Sequence, residues 1–179
     1  MKWTVINGCE ENNQLHKQVI QKMGEKLTAD KAETDWIQLR DYPLQYCRGC
    51  DYCQTVNPGF CSINDDQNDI LKKYINSDAV IILTPVQFGC CHSTVKNFID
   101  RTQPLFLPCQ VLKNGRTMMK GRYAKNPELV FVGVKENGSN DCMESFSEFA
   151  MESNLARASN RARVVVITKE ADIVALVNI

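Results

Sequence analysis

Four cysteines in the run Cys47-Arg48-Gly49-Cys50-Asp51-Tyr52-Cys53, with Cys61 following after seven residues, are the residues whose type and spacing most clearly imply chemistry. Three thiolates at intervals of three can wrap one side of a small metal centre while a fourth, arriving from a loop, closes the other. Soft thiolate donors select iron-sulfur clusters, zinc or copper(I) over hard cations, so the ligand type restricts the metal before any fold is assigned. The competing reading is ordinary: small buried residues, or a disulfide pair with two spare thiols. Four of nine cysteines falling by accident inside fifteen residues at these intervals is improbable, which favours the ligand set.

A loop of this kind needs a scaffold, and the rest of the chain supplies its pattern. Apolar runs rich in β-branched residues occupy residues 3–6, 79–84, 129–134 and 164–168, with a weaker fifth at 36–39. Most lack alternation, as strands buried on both faces of a parallel sheet do. Between them lie helical stripes: Leu15, Val19, Met23 and Leu27; Ile70, Leu71, Tyr74 and Ile75; Val95, Phe98 and Ile99; Cys142, Phe146, Phe149, Ala150 and Ser153. Strand and helix alternate, so the expected fold is α/β, a doubly wound sandwich on a five-stranded parallel sheet. The 179 residues are read as one domain.

Two connections are too long for plain turns. Residues 41–65, a metal-loop insertion, hold the four cysteines, and a metal site supplies the order that a missing core cannot. Residues 102–127 contain Pro104, Pro108 and Pro127, and carry Lys113, Arg116, Lys120, Arg122 and Lys125 without an acidic residue. That stretch is expected either to attract a dinucleotide phosphate or an acidic redox partner, or to be a solvated loop or subunit contact.

Charge excludes some partners. Lys plus Arg equals Asp plus Glu at 21 each, so nothing pulls the chain toward nucleic acid or an anionic membrane. The start runs from Met1 and Lys2 directly into a strand pattern, and the longest apolar run is far too short to span a bilayer. A cytoplasmic location is expected, where nine cysteines favour metal or redox chemistry over disulfides. His16 and His92 are isolated, so a hydrolase triad has no support and no catalytic acid or base is assigned.

Ligands of doubly wound sheets bind beyond the carboxyl ends of the strands, where strand order reverses. Residues 7–15, 84–89 and 135–139 are expected to converge there, with helix-start amides available to a phosphate. Taken with the cysteine run, the segments Ile63-Asn64-Asp65-Asp66, Ser77-Asp78-Ala79-Val80-Ile81-Ile82-Leu83-Thr84-Pro85-Val86 and Lys96-Asn97-Phe98-Ile99-Asp100-Arg101 resemble the NADPH-dependent FMN reductase family, and within it the iron-sulfur flavoproteins. The resemblance is strong over residues 47–101 and extends to the layout of the rest.

It implies a flavodoxin-like fold, with the phosphate end of FMN held by Gly8, Cys9, Asn12, Asn13, Gln14 and Leu15. The isoalloxazine ring would lie against Thr84, Pro85, Val86, Gln87, Phe88 and Gly89. It further implies a [4Fe-4S] cluster on Cys47, Cys50, Cys53 and Cys61, and a homo-oligomer, dimer or tetramer. The implied activity passes electrons from NAD(P)H or ferredoxin to a small acceptor such as a quinone, oxygen or peroxide.

Two departures set an alternative beside it. The family's phosphate loop usually offers hydroxyls and a cation, whereas this one reads Gly8-Cys9-Glu10-Glu11-Asn12-Asn13. A carboxylate about 4 Å from a phosphate costs on the order of 4 kcal/mol at a dielectric near 20, so inward-facing glutamates would abolish ordinary affinity. Gln87 replaces the tyrosine common beside the ring, and can bond a ring edge but cannot stack. The alternative is therefore a flavin-free flavodoxin-like protein whose structural zinc or cluster serves as a binding or electron-relay module.

Overall fold

A computed structural model describes residues 1–10, 12–113 and 115–179, with the backbone alone at 113 and 178. Five parallel strands form its centre: β1 (Lys2–Asn7), β2 (Glu33–Gln38), β3 (Ala79–Gln87), β7 (Glu128–Val134) and β8 (Ala162–Ile167), in the order β2-β1-β3-β7-β8. A two-residue strand, β4 (Cys90–Cys91), adds antiparallel to the end of β3. The chain is α/β with the expected five-stranded parallel core.

The missing alternation has a direct cause. Val80 and Ile82 of β3, with Leu129 and Phe131 of β7, enter one apolar cluster, while Ala79, Ile81, Leu83, Val130, Val132 and Val134 enter a second on the opposite face. Successive side chains point to opposite faces, so a strand covered on both sides needs an apolar residue at every position. The second face is covered by α1 (Gln14–Ala29), through Leu15, Val19, Met23 and Leu27, and by Ile173 and Leu176 of the C-terminal 3-10 turns. The first is covered by α3 (Gln67–Ile75), α4 (Ser93–Asp100), α5 (Asn140–Glu152) and α6 (Asn154–Ala158), while the one-turn α2 (Tyr52–Thr55) lies within the cysteine loop.

Two segments differ from the expectation. The strand after Ala79 does not end at Thr84 but runs to Gln87, since Pro85 still pairs in register with Val134 and Val86 and Gln87 pair with β4. Residues 102–127 are not a bare loop: they form a 3-10 turn and an antiparallel hairpin of β5 (Phe106–Lys113) and β6 (Arg116–Gly121). Three of its cations are used internally, while the Lys113 side chain lies outside the described residues. Arg116 pairs with Glu152, Lys125 with Asp78 at 2.8 Å, and Arg122 donates to the carbonyls of Pro104 and Phe106 at 2.9 and 2.7 Å. Among the described residues, no helix is long and apolar enough to cross a membrane.

Candidate functional site

The strand order reverses between β1 and β3, so the connections leaving their carboxyl ends flank the crevice where such sheets bind ligands. The first connection is built tightly. Gly8 donates to the Leu83 carbonyl at 2.8 Å, and a β-carbon there would meet Val95 at 2.2 Å, so only glycine lets the loop lie against α4. The Asn7 carboxamide oxygen accepts from the Cys9 amide at 2.9 Å, and Gln38 joins the two by bonding the Asn7 side chain and the Cys9 carbonyl. Asn13 caps α1 by accepting from the His16 amide. Helix geometry leaves the amides of Asn13, Gln14 and Leu15 without intrahelical acceptors, and the helix dipole favours an anion there.

Side chains at this loop divide by direction. Cys9 and Leu15 are buried in the core, so only their backbones face a ligand, and burial pushes the Cys9 thiol well up. Glu10 is exposed, and its carboxylate accepts from the Asn12 amide nitrogen at 2.7 Å. Glu11 lies outside the described residues. The His16 imidazole is lowered chiefly by burial, against the raising effects of the Glu10 carbonyl and the Glu10 and Glu136 carboxylates.

The second connection is a hairpin tip. Phe88 and Gly89 have φ of 49° and 72°, the two consecutive positive values that a two-residue type I′ turn needs. A β-carbon on Gly89 would meet Ser145 at 2.7 Å, and Phe88 stands wholly in solvent. Thr84 is buried, bonding the Pro85 carbonyl and accepting from the His92 amide, and Val86 is buried in the core. Gln87, Phe88 and Gly89 open on a cleft of about 600 Å³ whose far wall includes Lys135, Ser139, Cys142 and Ser145. The three segments follow the carboxyl ends of the neighbouring strands β1, β3 and β7, but the cleft is lined from the second and third of them, and among the described residues none of 7–15 lines it.

The cysteine loop has little core of its own. Cys47 and Cys50 are exposed, Cys53 and Cys61 half-buried, and all four are free thiols. The Cys53 thiol is raised first by burial and next by the nearby Cys61, with Cys47 and Cys50 adding to it. The Ser62 hydroxyl, 3.6 Å from its sulfur, is the main influence drawing the Cys50 thiol down. Among the described residues no three His, Cys, Asp or Glu side chains close into a metal-holding group. The thiols are gathered but not closed. A set of four soft donors on one loop nevertheless fits an iron-sulfur or zinc centre by its chemistry.

Polar side chains hold this loop to the sandwich. Arg101, at the end of α4 and fully buried, forks onto Asp65 and donates to the Gln45 carbonyl and the Cys61 sulfur. Burial acts to raise the Asp65 carboxyl, but the Arg101 fork and the amides of Gln45 and Gln67 outweigh it and hold the group below the usual carboxylate range. Asn97 bonds the Leu44 carbonyl, Asn68 brackets the Cys61 backbone through both amide atoms, and Arg122 reaches the Cys53 carbonyl. In the sequence Arg101 and Asp65 carried no assigned role beyond their place in the segments that resemble the family. A signal was present: Asn97 and Arg101, four apart, share one helix face with apolar Phe98.

The model of the NADPH-dependent FMN reductase family matches residues 1–161, and the chain belongs to that family. An iron-sulfur flavoprotein of Archaeoglobus fulgidus is 36% identical over 104 residues, covering 58% of this chain and 49% of that protein. One from Methanocaldococcus jannaschii is 35% identical over 109 residues, covering 61% and 50%. The chain thus spans about half the length of the curated relatives it matches. Among solved structures, the NAD(P)H:quinone oxidoreductase from Methanothermobacter marburgensis superposes with a TM-score of 0.72 at 10% identity, over 99% of this chain and 96% of that one. An azoreductase from Bacillus anthracis gives 0.63 at 12%, over 99% and 94%. At these identities the likeness is one of fold, which is flavodoxin-like.

Proposed function

We propose that the chain is an oxidoreductase that uses FMN at the carboxyl edge of its sheet and a [4Fe-4S] cluster on Cys47, Cys50, Cys53 and Cys61. It passes electrons from NAD(P)H or ferredoxin to a small acceptor such as a quinone, oxygen or peroxide. The observation that supports this best is the pairing of four free cysteines on one loop with an FMN reductase sheet edge in one chain. The names of the two iron-sulfur flavoproteins support the metal, and the names of the quinone oxidoreductase and azoreductase support the kind of acceptor. We read residues 1–179 as one domain with residues 41–65 as its metal loop, acting as a homo-oligomer.

FMN when bound supplies hydride and single-electron chemistry, which no side chain provides. The chain's part is to bind and orient. Amides of Asn13, Gln14 and Leu15 face the phosphate end at the start of α1, and Asn12 stands beside them with its nitrogen already committed to Glu10. The hairpin of β3 and β4 presents the Gln87 side chain and the backbone of residues 84–89 to the ring. Phe88, in solvent on a rigid two-residue turn, can cover the ring edge and exclude water. The Glu10 carboxylate is exposed and bonded to Asn12, so solvent and salt screen it, which supports flavin binding over the flavin-free alternative.

The test is anaerobic purification followed by flavin, iron, sulfide and zinc analysis, with reduction by NADPH and by reduced ferredoxin followed optically. About one FMN, four iron and four sulfide per chain are expected. One zinc without iron or sulfide sinks the cluster, and a chain that neither contains nor takes up FMN sinks the enzyme.

A further inference from the structure

Arg101 heads the large side chains that are fully buried, an unusual place for a residue kept from water only when paired. The pairing accounts for only part of what the guanidinium does. Nη1 and Nη2 fork onto Asp65 at 2.5 and 2.9 Å, a bidentate geometry that lysine cannot reproduce. The same two nitrogens also reach the ends of the cysteine loop, Nη1 to the Gln45 carbonyl at 3.0 Å and Nη2 to the Cys61 sulfur at 3.3 Å. Nε is buried without a partner among the described residues, so the side chain has been placed for its Nη contacts at the expense of Nε. A buried ion pair is seldom more stabilising than apolar packing of equal volume, so stability is a weak reason for this arrangement.

We propose that Arg101 is a positioning residue for the iron-sulfur centre: it fixes the Cys61 sulfur as the ligand from the far end of the loop and draws the reduction potential of the centre upward. This rests on the cluster reading above. Reduction adds one electron to the thiolate-bound centre, with no bond formed or broken. Net charge and hydrogen bonds to the sulfurs are what set such potentials. An N–H bond to Cys61 and a cation behind it favour the reduced state. The Asp65 carboxylate, on the same guanidinium, opposes that effect, so the two residues act with opposite sign on the potential although both secure the loop.

That difference in sign gives the test. Wild type, Arg101→Gln, Arg101→Lys and Asp65→Asn are purified as full chains without air, analysed for iron and sulfide, and titrated with dithionite while electron paramagnetic resonance follows the cluster. The metal-free proteins are separately alkylated with iodoacetamide, and labelling of Cys61 and Cys47 is compared by mass spectrometry. Arg101→Gln should shift the potential down, Asp65→Asn should shift it up, and Arg101→Lys should fall between wild type and Arg101→Gln. Cys61 should be labelled severalfold faster in Arg101→Gln, with Cys47 unchanged. Potentials that stay put, or that move together in Arg101→Gln and Asp65→Asn, overturn the tuning role. If Arg101→Gln does not fold, unchanged potentials in both Arg101→Lys and Asp65→Asn overturn it equally. Wild type lacking iron and sulfide overturns the cluster reading and, with it, the tuning role. The labelling needs no metal, and an unaltered Cys61 rate removes the positioning contact as well.

Discussion

The sheet edge and the cysteine loop are held in place by different forces. At the sheet edge, residues 8–10 follow directly on β1 and residues 84–87 end β3, and Val5, Ile6, Ile82 and Leu83 of these strands are wholly buried between two helical layers. At the cysteine loop, residues 45–51 are all exposed, and attachment comes from Arg101, Asp65, Asn97, Asn68, Gln54 and Arg122. Apolar burial is non-directional and spread over many contacts. Hydrogen-bonded attachments are few and directional, so each one matters more to the local geometry than to the fold. The edge should therefore survive local damage that releases the loop.

The largest effects compare one deletion in each region. Phe131→Ala, in the middle of β7, should cost about 3–5 kcal/mol and lower the global unfolding transition. Asp65→Ala leaves the buried Arg101 uncompensated, which costs a similar 3–5 kcal/mol, yet relief is available by opening the loop. Hydrogen exchange and limited proteolysis should show protection lost over residues 41–65 in Asp65→Ala while β1, β3 and β7 stay protected. Equal loss throughout both variants would show that the loop and the sheet unfold as one.

An intermediate effect is expected at the edge itself. Gly8→Ala puts a methyl group against Val95, an overpacking worth about 1–3 kcal/mol. Because the loop must move to relieve it, FMN affinity should fall along with thermal stability. A variant as stable as wild type with unchanged affinity would show that the approach of Gly8 to α4 is unimportant.

Acid should separate the regions more gently. Asp65 has a folded-state pKa below its unfolded value of about 3.9, so its contribution is complete above that value and drains away as pH falls through the lower, folded one. Proteolysis within residues 41–65 should begin below about pH 4, ahead of loss of the sheet's circular dichroism. Asp65→Asn should make loop cleavage largely independent of pH over that range. Cleavage of the wild type that is flat with pH would count against the ion pair as the tether.

The same contrast explains what could be read from the residues. β1, β3 and β7 were legible because burial on two faces leaves unbroken apolar runs, the half-buried edge strand β8 because its residues 164–167 are all β-branched, and α1 because Leu15, Val19, Met23 and Leu27 repeat at one turn. The end of β3 was not, since Pro85 reads as a loop residue, and only its pairing with Val134 beside a short added strand keeps it extended. The β5–β6 hairpin was hidden for a related reason: Pro108 interrupts the first strand, and in its partner only Met118 is buried, beside exposed Thr117 and half-buried Met119. Cysteine spacing disclosed a ligand set without its supports. Hydrogen bonds between Arg101 and residues 36 to 56 positions away leave no periodic trace, so the loop's tethers had to be seen.

The smallest expected effect falls on Glu10, one of the two glutamates behind the sequence's strongest objection to a flavin, the other being Glu11, which lies outside the described residues. An inward carboxylate about 4 Å from the phosphate would weaken binding by about 4 kcal/mol, close to a thousandfold, at a dielectric near 20. Glu10 is instead at the exposed rim of the loop, bonded to Asn12, where solvent and salt screen it. Glu10→Gln should therefore change the FMN dissociation constant of the metal-loaded protein by no more than about twofold, the scale of a screened surface charge. Titration of flavin-stripped protein at low and high salt measures it. A gain near a hundredfold at low salt, collapsing at high salt, would mean that the side chain turns inward when the phosphate arrives, and that the edge is less preformed than its core implies. A small, salt-insensitive change leaves the amides at the start of α1 as the phosphate's main partners, which is what a rigid edge predicts.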